Sequence, residues 1–318
     1  MSGRIAVTPR SLSVAGHPAL RPLEEAGFEI VFPSPGRQPT PAEQLAVIPS
    51  CVGYLAGVEP VGADLLRRCP SLKVISRNGV GADAIDLEAA RSLGIAVEAA
   101  RGANAEGVAE LAVGLMLALA RSIPATSASI KGGGWVRREG VELRGRRLGL
   151  VGCGQIGRRV AEIALGLGMS VRAHDAVVDA GFLPAGDFAY AGLDEVLCES
   201  DVVSLHCPPG DRPLLDEGAI ARMRRGAYLV NTARAGLVDH DAVAAALAEG
   251  RLAGFATDVY DREPPEPSDL LRRDDVIATP HAGAHTAESV ARASAAAVEN
   301  LLRVLQAHDQ ASGTPSGR

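Results

Sequence analysis

Lysine is almost missing from this chain. Of 32 basic residues only Lys73 and Lys131 are lysines, the rest arginine, a bias from which no function is read. Cysteine is sparse as well. Cys51, Cys69, Cys153, Cys198 and Cys207 are odd in number and form neither a Cys-x-x-Cys pair nor a spacing suited to a metal. A disulfide framework and a metal cluster are therefore not expected, and the five read as reduced core thiols in a cytoplasmic compartment. There is no excess of positive charge: 32 Lys and Arg stand against 38 Asp and Glu, a net of −6. No general footprint for nucleic acid results, and a small anion would need a local basic pocket. No apolar run approaches a membrane span either. The longest, Leu111–Ala120, is about half the ~20 residues required, and no charged-then-apolar leader precedes the opening RIAVTP. Neither a nucleic-acid nor a membrane partner is expected.

What is present is apolar sequence in quantity, 47% of 318 residues, spread along the whole length. Single cores stop growing at roughly 250 to 300 residues, so two domains are expected. From Arg4 to Val97, short runs rich in β-branched residues (IAV, FEIVF, VGYLAG, LKVIS, GIAVE) alternate with Ala/Leu/Glu/Arg stretches of helical spacing, the pattern of parallel βαβ units. Ala105 to Ala120 reads as one long buried helix, ended by Arg121 and Pro124. A second alternating series, LGLVG, SVRAHD, DVVSLHCP, AYLVNTA, LAGFATDV and VIATPH, predicts another doubly wound sheet. Thr286 to Leu305 reads as a closing helix, and HDQASGTPSGR as a frayed tail.

The apolar strand LGLVG runs into Gly152, Gly154 and Gly157, spaced G-x-G-x-x-G, at the start of a helix. In that context each glycine has a reason. The first permits a tight turn, the second lets backbone approach a pyrophosphate, and the third lets helix and strand pack closely. Eighteen residues past Gly157 the next strand ends on Asp175, where a carboxylate can accept hydrogen bonds from ribose hydroxyls and would repel a 2'-phosphate. No arginine follows it directly, so the cofactor read from the sequence is NAD rather than NADP.

Three further segments each end an apparent strand with a polar residue: Arg234 in NTARAGLVD, Glu263 in ATDVYDREPP and His281 in IATPHAGAHT. Ligands of open α/β sheets bind at that edge. Hydride chemistry at a 2-hydroxy acid needs a cation for the carboxylate, a group that exchanges the hydroxyl proton and a partner that tunes it. Arg234, His281 and Glu263 suit those roles. A carboxylate stabilises a neighbouring imidazolium, which can donate a proton in reduction and recover it in oxidation.

These segments, together with GCGQIG, Asp175 and the stretch NAEGVAELAVGLMLALARSIPATSASIKGGGWVRREGVELRGRRLGLVGCGQIG, resemble the D-isomer-specific 2-hydroxyacid dehydrogenases, and within them the phosphoglycerate dehydrogenase branch. The resemblance implies a Rossmann NAD-binding domain at residues 99–285, inserted in a discontinuous flavodoxin-like substrate domain at residues 1–98 plus 286–318. It implies that His281 is the acid/base, Glu263 its hydrogen-bond partner and Arg234 the holder of carboxylate and carbonyl. Gln155 and Ile156 would meet the pyrophosphate through their backbone. Cys207, Thr232, Ala233, Asp258 and Gly283 complete the cofactor contacts. Arg77, Asn78, Gly79 and Val80 would join Arg234 at the substrate, a small anionic 2-hydroxy or 2-oxo acid. The Ala105–Ala120 helix and the arm after it resemble the family's homodimer contact, and the short tail leaves no room for the C-terminal regulatory domain that some relatives carry.

Departures concern the substrate. Ala56 stands where the branch often has a second basic residue, Ala235 where the family prefers glycine, and His285 where serine is common. Whether the acid bears a phosphate or phosphonate stays open. So do two alternatives on the same fold: a dehydrogenase of a one-carbon, phosphite or phosphonate donor, and an NADH-sensing corepressor-like binding protein.

Overall fold

The computed structural model describes residues 3–311. They divide into two compact units, one made of the chain up to Asn104 together with the residues from Ala287 onward, the other Ala105–Thr286.

In the first unit the apolar runs form β1 (Gly3–Val7), β2 (Phe28–Val31), β3 (Gly53–Ala56), β4 (Val74–Arg77) and β5 (Ala96–Ala99). All pair in parallel, in the order β2-β1-β3-β4-β5, the flavodoxin-like order with its switch point between β1 and β3. Side chains alternate across the sheet, as strand geometry requires. Ala6, Tyr54 and Ile75 pack with Ile48 and Leu66 on one face. Ile5, Leu55 and Val74 pack on the other, against Val298 and Leu301 of the helix Ala287–Ala311. That helix continues past Leu305, so the first residues of the expected frayed tail are helical; from Ser312 onward the tail lies outside the described residues.

The second unit contains β6 (Arg147–Val151), β7 (Ser170–His174), β8 (Phe188–Tyr190), β9 (Val202–Leu205), β10 (Ala227–Asn231), β11 (Leu252–Thr257) and β12 (Val276–Ala278). The parallel order β12-β11-β10-β9-β6-β7-β8 is the dinucleotide-binding order with one strand added at an edge, its switch point between β6 and β9. Leu148 and Leu150 face one core with Ala256, while Val151, Val203 and Phe255 face the other. Removing such a side chain to alanine costs about 2–5 kcal/mol.

The sequence reading passed over β8, a three-residue edge strand held in an edge-to-face series in which Phe188 packs on Phe182 at 5.1 Å and on Tyr190 at 5.2 Å. The helix Ala105–Ala120 buries Val108, Ala112, Val113, Met116 and Leu119. It stops at Ala120, but Pro124 opens a second helix, Ile123–Lys131, in place of merely ending the first; in a first turn the missing proline N–H has no partner to lose. Among the described residues no single helix is long and apolar enough to cross a membrane. All five cysteines are unpaired, and the expectation that they sit in the core needs correcting: Cys51, Cys69 and Cys153 are buried, whereas Cys198 is exposed and Cys207 half-buried.

Candidate active site

The glycine-rich turn joins β6 to the helix Gln155–Gly166. Gly152 has φ +97°, and a Cβ there would lie 2.5 Å from the carbonyl of His206 and 2.6 Å from the nitrogen of Cys207, at the end of neighbouring β9. A Cβ on Gly157 would lie 2.1 Å from the Gly152 carbonyl oxygen. Only glycine permits this closeness of turn, helix and strand. Gly154 differs: nothing lies within 4 Å of its would-be Cβ, and it is exposed, as is Gln155. One Asp175 oxygen accepts from Cys153 N at 2.6 Å and the other from Val177 N at 2.8 Å, fixing the carboxylate beside the turn. His206 is locked by Ser204 Oγ, 2.8 Å from Nε2. Burial pushes its imidazole down to about 4, so it is a neutral structural group.

On the far side of β9, strands β10, β11 and β12 end in register, Asn231 opposite Thr257 and Thr257 opposite Ala278. Their connections carry the polar residues. Asn231, fully buried, holds the turn at the end of β10: its amide donates to Arg234 O at 2.9 Å and its oxygen accepts from Ala233 N at 3.1 Å. Arg234 follows in extended conformation, half-buried, with Nη1 donating to Ala233 O at 2.8 Å. Asp258, 2% exposed, accepts from Thr279 Oγ1 at 2.6 Å, Ala282 N at 2.8 Å and Gly283 N at 2.9 Å. Those bonds brace the turn that holds His281 in left-handed backbone, φ +50°, a conformation a non-glycine residue keeps only where its surroundings impose it.

His281 Nδ1 lies 2.8 and 3.0 Å from the two oxygens of Glu263. An ionised carboxylate only accepts, so Nδ1 carries the hydrogen and Nε2 is left to exchange a proton. Both side chains are about half exposed, as proton transfer with a ligand requires. Tyr260 frames the pair: its hydroxyl donates to Thr279 O at 2.8 Å.

In the first unit, Arg77 closes β4 and folds over its own turn, donating to Asn78 O at 2.5 Å. Asn78 N donates to Ala56 O at 2.9 Å, joining this turn to the end of β3. Gly79, φ +153°, leaves room for the guanidinium, which a Cβ there would approach to 2.8 Å. Val80 continues the same loop.

Over residues 113–283, more than half its length, the chain matches the family described as D-isomer specific 2-hydroxyacid dehydrogenase, NAD binding domain. The chain belongs to this family. It is 40% identical to hydroxypyruvate reductase of Thermotoga maritima over 273 residues, 83% of this chain and 88% of that protein. It is also 40% identical to D-3-phosphoglycerate dehydrogenase of Methanocaldococcus jannaschii over 251 residues, 77% of this chain but 48% of the relative, so it spans about half the length of the phosphoglycerate dehydrogenase it matches. D-lactate dehydrogenase of Aquifex aeolicus, solved with NAD and lactic acid, has a TM-score of 0.77 at 28% identity and covers 98% of this chain and 100% of its own.

The second unit of this dehydrogenase family member suits NAD. The open side of Gly154 and the first amides of the helix Gln155–Gly166 form a cradle of the kind that takes a pyrophosphate. Asp175 stands at the end of the next strand, and Thr232 Oγ1 is buried with no hydrogen-bond partner among the described residues. The sequence reading picked out the glycines, Asp175, Arg234, Glu263 and His281 but not Asn231, which organises the Arg234 turn. Its one local signal was a polar residue closing an otherwise apolar strand. The reading also missed Arg158, which pairs with Asp179 at 2.8 Å and lies over the Phe182 ring at 5.3 Å, close in sequence to Asp175.

Proposed function

We propose that this chain catalyses reversible hydride transfer between NAD and C2 of a small D-2-hydroxy acid, the oxo acid being the other partner. The observation that carries this reading is the His281–Glu263 pair at 2.8 Å on the strand edge of the sheet that also carries the glycine turn. NAD, when bound, supplies or accepts the hydride. Arg234 offers a planar fork matched to a carboxylate, which orients C2. In reduction the C2 oxygen takes a proton from His281 Nε2, and Glu263 holds the imidazolium until that step; in oxidation the proton returns along the same path. Among the relatives, the hydroxypyruvate reductase is named for an unphosphorylated three-carbon acid and the D-3-phosphoglycerate dehydrogenase for a phosphorylated one, and both stay within the proposal at this level.

NADH oxidation should be observed with at least one of glyoxylate, hydroxypyruvate, 2-oxoglutarate and 3-phosphohydroxypyruvate. NADH should be preferred to NADPH by at least about tenfold in kcat/KM, a discrimination of ~1.4 kcal/mol, because Asp175 repels a 2'-phosphate. Equal efficiency with both cofactors would remove that role from Asp175. Tight NADH binding without turnover of any oxo acid would favour the corepressor-like alternative.

The working unit is proposed to be a homodimer. None of the residues of the helix Ile123–Lys131 is buried, and Ile123, Ile130, Trp135 and Val136 are all more than half exposed, an apolar arm of the kind that association covers. Light scattering at micromolar concentration should give twice the mass of one chain, and a monomer there would overturn the assignment. A cytoplasmic location is proposed on the five unpaired thiols.

A further inference from the structure

No arginine follows Asp175 directly in the chain, but Arg158 comes to the same place from upstream, out of the first turn of the helix Gln155–Gly166. Both residues hold Cys153 in the glycine turn. Its N–H donates to Asp175 Oδ2 at 2.6 Å, and its carbonyl accepts from Arg158 Nε at 3.1 Å, so carboxylate and guanidinium are anchored on either end of one residue. A free guanidinium beside the acid that is to receive ribose hydroxyls is the group a 2'-phosphate would seek, because its planar fork matches phosphate oxygens.

Arg158 is not free. Its Nη2 pairs with Asp179 Oδ2 at 2.8 Å, and its guanidinium lies over the Phe182 ring at 5.3 Å. Asp179 is itself fixed, its Oδ1 accepting from Gly181 N at 2.8 Å, and Phe182 packs edge-to-face on Phe188 of β8. The connection from β7 to β8 thus engages the guanidinium through a carboxylate and a ring. The neighbouring basic groups have partners of their own: Arg159 pairs with Glu106 at 2.7 Å, Arg172 pairs with Asp187 at 2.9 Å, and His174 Nδ1 lies 3.4 Å from Ala191 O. The Arg158–Asp179 pair is partly exposed on both sides, which sets a modest ceiling on what it is worth.

We propose that Asp179 is a positioning residue that sets cofactor specificity: by occupying the guanidinium of Arg158 it withholds from a 2'-phosphate the cation anchored beside Asp175. The inference rests on the NAD reading of this site. Rejection of NADP is then shared, Asp175 repelling the phosphate and Asp179 keeping a partner from it. The test is fluorescence titration of NADH and NADPH with no oxo acid present. In Asp179→Asn one oxygen remains for Gly181 N, while an amide nitrogen, which cannot accept, replaces the oxygen that held Arg158. The variant should bind NADPH about five- to tenfold more tightly, up to ~1.4 kcal/mol, with NADH affinity within about twofold of wild type. The gain has to travel through Arg158. In an Arg158→Gln background the same aspartate substitution should change NADPH affinity by less than about twofold, a coupling that the double-mutant cycle isolates. Any cost of Arg158→Gln to the glycine turn cancels, because that comparison is made within one background. Unchanged NADPH affinity in Asp179→Asn overturns the proposal. So does an equal gain with and without Arg158, which would trace the effect to loss of a negative charge alone, and so does a change that NADH shares in full, the mark of a structural role. Asp179→Ser, which also keeps an oxygen for Gly181, gives the same reading should the asparagine variant fail to fold. If wild type binds neither dinucleotide, the NAD reading falls and the inference with it; if it binds NADH and the cycle is additive, the inference falls alone.

Discussion

Replacing His281 with alanine is expected to lower kcat for oxo-acid reduction by about 10² to 10⁴, the usual worth of a positioned acid–base group, while NADH binds with wild-type affinity. The expectation comes from the division of labour in the second unit. The glycine turn and Asp175 lie on β6 and β7, and the imidazole lies on the connection after β12, three strands beyond β9. Glu263→Gln should fall between wild type and His281→Ala. The amide keeps a contact to Nδ1 but no longer stabilises the imidazolium that forms or persists during proton transfer. Steady-state kinetics with a parallel NADH titration checks both variants. Near wild-type turnover in His281→Ala would mean that the proton moves through another group.

Gly157→Ala is expected to weaken NADH binding at least tenfold and to lower stability by about 1–3 kcal/mol, the usual cost of overpacking a close contact. The added methyl would meet the Gly152 carbonyl oxygen at 2.1 Å. The obstacle is backbone and cannot rotate away, so helix and turn must separate. Gly154→Ala supplies the contrast, since its methyl would enter open space. Its Tm should stay at the wild-type value while NADH affinity falls, if that space takes the pyrophosphate as proposed. Thermal unfolding and NADH titration of the two variants give this pattern or refute it. Equal Tm losses would show that both glycines serve only the fold.

The parts of this site legible in the sequence were those whose reason is local. G-x-G-x-x-G could be read because a tight turn, an open approach and a close packing each demand glycine within six residues of chain. The strands could be read because an apolar period of two, or a short apolar run between breakers, is a property of consecutive residues. β8 escaped because Phe188–Tyr190 is too short to show a period. The helix Ile123–Lys131 escaped because Pro124 signals an end and a beginning equally well.

Other features depend on partners distant in the chain. In sequence, Asp258 stands one residue after β11 like any strand-end acid; in the structure its two oxygens hold Thr279, Ala282 and Gly283 and so set the backbone of His281. Glu59 reads as an ordinary loop acid in VEP, and it becomes a buried acceptor only because Thr8, 51 residues away, and Tyr54 close over it. The sequence by itself determined the alternation of elements, the glycine turn with its acid, and the residue types able to carry hydride chemistry. Only the tertiary structure decided that Glu263 lies against Nδ1 of His281 and that Asn231 and Asp258 brace their turns. The physical reason is that parallel strands are joined by long crossovers, so residues adjacent at the sheet edge are far apart along the chain, and their pairing is a property of strand order and register.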